Sequence, residues 1–88
     1  MSARATVYGA EGCGSCERTC RALELAGISF ERVDVWQSGF VDELRGRGIR
    51  ELPFVTTSTG EGWTGLRVDR IVELRRAGVE QADADEPL

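Results

Sequence analysis

Along the chain the apolar positions switch several times between a spacing of two and a spacing of three to four. Ala5-Thr6-Val7-Tyr8 is short, β-branched and aromatic, and predicts a buried strand. Gly9 to Gly14 is a glycine-rich loop. From Ser15 the pattern turns helical. Cys16, Thr19, Cys20, Leu23 and Ala26 recur on one face, while Glu17, Arg18, Arg21 and Glu24 occupy the other. Gly27 is placed to end this helix as a left-handed cap. Ile28 to Trp36 returns to strand-like spacing through Ile28, Phe30, Val33 and Val35. Ser38 then stands where it would cap a short helix through Arg47, with Phe40, Val41 and Leu44 on its inner face.

Pro53-Phe54-Val55-Thr56-Thr57 predicts a third strand, and Ser58-Thr59-Gly60-Glu61-Gly62 is a hairpin turn signal. Gly62-Trp63-Thr64 is the short returning strand. Arg67 to Ala77 predicts the last helix, with Leu66, Ile71, Val72 and Leu74 as its buried stripe and Gly78 as its stop. The order β-α-β-α-β-β-α specifies an α/β protein. Its strand-helix-strand opening requires a right-handed crossover and a parallel pair. The hairpin adds antiparallel strands, so a four-stranded mixed sheet flanked by three helices is expected. One domain spans residues 1–79. Residues 80–88 lack periodicity and are expected to form an acidic, disordered tail.

Charge changes the picture mainly by exclusion. Every basic residue is an arginine, 11 in all, against 15 acids, and the chain has no lysine or histidine. Four of the acids (Glu80, Asp83, Asp85 and Glu86) follow Val79, which leaves 11 acids against 11 arginines in residues 1–79. A formally neutral body lacks the concentrated basic face that a nucleic acid or an anionic membrane requires. Met1-Ser2-Ala3-Arg4 runs directly into the first strand without the apolar stretch of a signal peptide, and no segment is long enough to span a membrane. The expected compartment is the cytoplasm, where thiols stay reduced. Three cysteines are an odd count, which suits chemistry better than a fully paired framework.

That chemistry centres on Cys13-Gly14-Ser15-Cys16, a C-x-x-C between a strand and a helix. A cysteine at a helix start faces unpaired backbone N–H groups and the positive end of the helix dipole, and both favour the thiolate. Cys13 is therefore the expected nucleophile, and Cys16, one turn further in, the more buried resolving thiol. In this scheme Cys13 attacks a target disulfide, a mixed disulfide forms, and Cys16 resolves it. No histidine is present to serve as a general base, and the reaction does not need one. Two other readings of the pair are half of a zinc site and a pair of incidental core residues. The first lacks a second C-x-x-C and any histidine. Cys20 lies on the helix face shared with Leu23, which makes it a buried, inert thiol. A regulatory Cys16–Cys20 disulfide is the other option, but that spacing on one helix suits a disulfide poorly.

With these residues in place, the chain resembles the NrdH-redoxins, glutaredoxin-like proteins of thioredoxin-like fold that behave as thioredoxins. Val7-Tyr8 precedes the C-x-x-C; Thr19, Ala22-Leu23 and Gly27-Ile28 follow it. Leu52-Pro53 is similar to the family's X-Pro, whose proline is cis. Trp63-Thr64-Gly65-Leu66-Arg67-Val68-Asp69 resembles its tryptophan-serine-glycine-phenylalanine-arginine-proline-aspartate signature. The chain departs from the pattern at Gly14-Ser15, Cys20, Thr64, Leu66 and Val68. The resemblance implies a thiol-disulfide oxidoreductase that is reduced by thioredoxin reductase and passes electrons to ribonucleotide reductase. It further implies a monomer with no cofactor beyond the redox-active Cys13–Cys16 pair. The rim that meets partners would comprise Glu11, Gly12, Gly14, Ser15, Leu52, Pro53, Trp63, Thr64, Gly65, Leu66 and Arg67, with Trp63 and Arg67 equally open to a purely structural role. The backbone of Leu52 would pair with an incoming extended peptide.

Two competing functions remain open. One is a glutaredoxin dependent on glutathione or another small thiol. Against it, Gly65-Leu66-Arg67 carries no acidic pair and Glu11-Gly12 stands where a basic residue is common. The other is a carrier of an iron–sulfur cluster or metal, using Cys13 across a dimer.

Overall fold

The structure, a computed structural model, describes residues 4–85, with side chains described as far as Ala77. Its strands follow the alternation of the sequence. In β1 (Ala5–Gly9), Ala5, Val7 and Gly9 are buried on one face, while Thr6 and Tyr8 are half-buried on the other. β1 runs parallel to β2 (Phe30–Asp34) and antiparallel to β3 (Phe54–Thr57), which pairs antiparallel with β4 (Gly62–Thr64). The sheet order is β2-β1-β3-β4, the mixed four-stranded sheet expected of a thioredoxin-like fold. The parallel pair is joined by α1 (Gly14–Leu25), whose Thr19, Cys20 and Leu23 turn inward.

The main core lies between one sheet face and the helices α1 and α4 (Val68–Asp85). Val7, Val55 and Trp63 meet Leu23, Ile28, Ile71 and Leu74 there. Arg4 reinforces the seam by donating from Nη2 to the carbonyl of Leu74 at 2.7 Å. The opposite face is covered more thinly, by α2 (Val35–Ser38) and α3 (Phe40–Gly46). Tyr8 stacks on Phe54 with centroids 5.8 Å apart and meets Phe40 edge-on at 5.4 Å.

α1 ends as its sequence predicts. Gly27 has φ +71°, its N–H donates to the carbonyl of Glu24, and the N–H of Ile28 donates to that of Leu23. These two bonds form a Schellman cap and satisfy carbonyls that the last turn would otherwise leave open.

Four details differ from expectation. β2 stops at Asp34 rather than running to Trp36. The Asp34 carboxylate accepts from the N–H groups of Trp36 and Gln37, at 2.9 and 3.0 Å, and so caps a new helix. Ser38 accordingly ends α2 instead of starting a helix; its hydroxyl donates to the Asp34 carbonyl. Gly39, at φ +80°, separates α2 from α3, so the expected single helix is two and the described residues hold four helices. Of the stripe assigned to the last helix, Ile71 and Leu74 are buried, whereas Leu66 is 38% and Val72 40% exposed. A three-residue step keeps Ile71 and Leu74 in line, while Val72 is rotated about 100° away. Finally, α4 continues through Gly78 to Asp85, so residues 80–85 extend the helix rather than beginning an irregular tail; residues 86–88 lie outside those described. One glycine costs a helix only about 1 kcal/mol, and Glu80, Gln81 and Ala82 that follow are good helix formers.

Candidate active site

Strand direction gathers the site at one edge of the sheet. Because β1 and β2 are parallel and β3 opposes them, the ends of β1, β2 and β4 and the start of β3 share that edge. Onto it fall the Ala10–Gly12 turn, the first turn of α1, Leu52-Pro53 and the Thr64–Arg67 segment. Tyr8 pairs with Phe54, so one further step in register sets Pro53 beside Gly9.

Cys13 is the N-cap residue of α1, with extended backbone angles, and its Sγ accepts from the N–H of Cys16 at 3.2 Å. The Glu17 N–H donates to the Cys13 carbonyl at 3.1 Å. The two sulfurs form a disulfide across Cα atoms 5.2 Å apart. The pair is unequal in exposure: Cys13 is half-buried and Cys16 is 0% exposed. Such an arrangement leaves one sulfur open to attack from outside and shelters the other. Gly12 (φ +79°) makes the tight turn into the helix; Glu11, Gly12 and Gly14 are exposed and Ser15 is half-buried.

Cys20 remains a free, buried thiol within the core cluster. Burial pushes its thiol pKa up, Arg32 works against this, and Glu17 and Glu24 add to the rise. It is therefore kept protonated and poorly nucleophilic, in contrast to a thiol at a helix start. Beside it, Thr19 is fully buried and its hydroxyl has no partner among the described residues.

The Leu52-Pro53 bond is cis. Pro53 is buried, and its carbonyl accepts from the Gly65 N–H at 2.9 Å, which ties the two loops together. Leu52 precedes the β3 ladder, and its backbone has no hydrogen-bond partner among the described residues. Of the tryptophan-to-aspartate segment, Trp63 is only 6% exposed and belongs to the core cluster. Thr64 is half-buried and Gly65 is buried with φ +77°. Leu66 and Arg67 are exposed. Arg67 grips Asp69 through two hydrogen bonds of 3.1 and 2.9 Å, a link between the loop and the first turn of α4. That pairing holds the Asp69 carboxyl below its ordinary pKa.

A cleft that the hydrophobic pattern does not reveal lies beside Leu52. It encloses about 230 Å³ and is lined by Val35, Trp36, Leu44, Arg45, Ile49 and Leu52, among others. Trp36 is 60% exposed there, with the Arg45 guanidinium 5.8 Å from its ring. Only the early end of β2 turns Val35 and Trp36 toward this cleft. Asp34, placed two and three residues before the N–H groups it caps, was the available signal.

Comparisons with known proteins agree with this geometry. The glutaredoxin family model matches residues 5–59. The glutaredoxin-like protein NrdH of Salmonella typhimurium is 39% identical over 70 residues, covering 78% of this chain and 85% of that protein. Among solved structures, the NrdH-redoxin of Escherichia coli, a glutaredoxin-like protein with a thioredoxin-like activity profile, superposes with a TM-score of 0.74. It shares 36% identity over 81% of this chain and 93% of its own. A glutaredoxin from Archaeoglobus fulgidus, at 21% identity and a TM-score of 0.68 over 84% and 87% of the two chains, shares the fold.

Proposed function

The chain belongs to the glutaredoxin family, among its NrdH-redoxins, and is a thiol-disulfide oxidoreductase; from that premise we propose that it reduces a disulfide on a partner protein through Cys13 and Cys16. The partner is ribonucleotide reductase, and thioredoxin reductase restores the dithiol in the cytoplasm. The observation that carries this reading is the unequal exposure of the two cysteines at the start of α1.

In the reduced protein, the Cys16 N–H and the positive end of α1 favour negative charge on the Cys13 sulfur. This thiolate attacks one sulfur of the target disulfide, and the other leaves as a thiolate that takes a proton from water. Cys16 gives up its proton to solvent and then attacks the Cys13 sulfur. The Cys13–Cys16 bond forms, the bond to the target breaks, and two electrons have moved to the target. The redox group is the cysteine pair itself, and no further cofactor enters the cycle. The open backbone of Leu52 offers hydrogen bonds to an extended target segment, and the adjoining apolar cleft offers space for its side chains. Glu11, Gly12, Gly14, Ser15, Leu66 and Arg67 surround this position. Among the described residues, no helix is long and apolar enough to cross a membrane.

A protein disulfide is favoured over a small anionic thiol because the Gly65-Leu66-Arg67 turn carries no acidic pair to hold the small thiol's charged end and Glu11-Gly12 stands where a basic residue is common. The thioredoxin-like activity profile of the E. coli redoxin supports thioredoxin reductase as donor. The test is NADPH-coupled disulfide reduction with either thioredoxin reductase or glutathione plus its reductase. Turnover with thioredoxin reductase alone is expected; turnover with the small thiol alone overturns the assignment.

A further inference from the structure

We propose that Gly9 is a positioning residue for the redox pair: its missing side chain makes the space in which the Cys16 sulfur sits. The inference rests on the reading of Cys13 and Cys16 as a dithiol–disulfide couple and adds to it a residue outside the C-x-x-C.

Gly9 is the last residue of β1, is buried, and pairs with Asp34. Its backbone is not in the left-handed region occupied by Gly12, Gly27, Gly39, Gly48, Gly60 and Gly65, so local conformation does not demand a glycine here. Packing does. A Cβ on Gly9 would lie 2.8 Å from Cys16 Sγ and 3.1 Å from Cys16 Cβ. No other described glycine meets a cysteine in this way. Gly62, the glycine of β4, would bring its Cβ no closer than 3.4 Å to any atom, which is ordinary contact.

Neither side of the Gly9–Cys16 contact yields easily. β1 is an interior strand, held by β2 on one edge and β3 on the other. Cys16 is fully buried in the first turn of α1, where its N–H is held by Cys13 Sγ. The sulfur thus lies against bare strand backbone, and that contact sets its height above the sheet and its reach toward Cys13. Closely packed interiors transmit such displacements instead of absorbing them.

The consequence differs between the two redox states. In the disulfide, Cys16 Sγ is tethered to Cys13 and cannot turn away from a methyl group on residue 9. In the dithiol the tether is gone and the Sγ, though not the Cβ, can rotate away, which relieves the closer of the two contacts. A side chain at position 9 therefore raises the free energy of the disulfide more than that of the dithiol. It also hinders the resolving step, in which the Cys16 thiolate bonds to Cys13 Sγ and expels the target thiolate.

The test is the full chain carrying Gly9→Ala, equilibrated against graded ratios of reduced and oxidised dithiothreitol. Samples are quenched by alkylation, and the disulfide fraction is read by mass spectrometry. Wild type is expected to titrate as a two-electron couple, with Gly62→Ala superimposable on it. Gly9→Ala should move the balance toward the dithiol by about threefold or more. A Gly9→Ala curve coincident with wild type overturns the inference while leaving the redox couple intact. A wild type that does not titrate overturns the couple itself, and the inference with it. Should Gly9→Ala fail to fold, Gly9→Ala combined with Cys16→Ala removes the sulfur from the contact. Recovery of folding supports the inference, and continued failure overturns it.

Discussion

At the scale of single residues, the three cysteines are told apart by position rather than by chemistry. Cys13 caps α1 and is half-open, Cys16 is sealed beneath it, and Cys20 lies in the core where burial raises its pKa. A division of labour follows. Cys13→Ser removes the attacking thiol and should abolish turnover. Cys16→Ser leaves the attack intact but removes resolution, so a covalent mixed disulfide with a protein substrate should accumulate. Non-reducing electrophoresis reads the difference, and equal residual turnover in both variants would contradict the assigned order. The spacing of the pair and its place before a helix were legible in the sequence. The role of Gly9 was not, because a glycine beside a glycine-rich loop looks like part of the loop. Only the fold brings α1 down onto it.

At the scale of elements, hydrophobic spacing located every strand and both long helices, and Gly27 marked the end of α1 correctly. The middle of the chain was harder. Val33 and Val35 continue a strand-like alternation, yet the Asp34 carboxylate captures two N–H groups and turns the chain into α2. A side chain competing for backbone donors can override alternation when it sits at the boundary. Asp34→Ala should cost about 1 kcal/mol of folding stability, a typical loss for an N-cap. Urea unfolding measures it, and an unchanged midpoint would show that the cap bonds do not contribute. Because α2 carries Trp36 into the cleft beside Leu52, the same substitution should weaken the engagement of a partner that uses the cleft.

At the scale of the molecule, the two faces of the sheet are unequally covered, and most of the core lies between the sheet and the pair α1 and α4. Leu23 is at its centre and fully buried. Leu23→Ala should cost about 2–5 kcal/mol, a large share of the stability of a domain this small. Thermal unfolding followed by circular dichroism measures the loss, and a melting temperature within error of wild type would contradict the packing described. The continuation of α4 through Gly78 also belongs to this scale. Gly78 reads as a stop on local grounds, yet the helix runs through it because the good helix formers after it outweigh the penalty of one glycine. By itself the sequence determined the order of the strands and the two long helices, the mixed sheet, the C-x-x-C at a helix start and the family resemblance, because each depends on spacing or on residues adjacent in the chain. Only the tertiary structure decided that Trp63 is core, that Val35, Trp36 and Leu52 share a cleft, and that Gly9 lies under Cys16. Those are contacts between distant segments, set by strand register and helix docking, which no local pattern encodes.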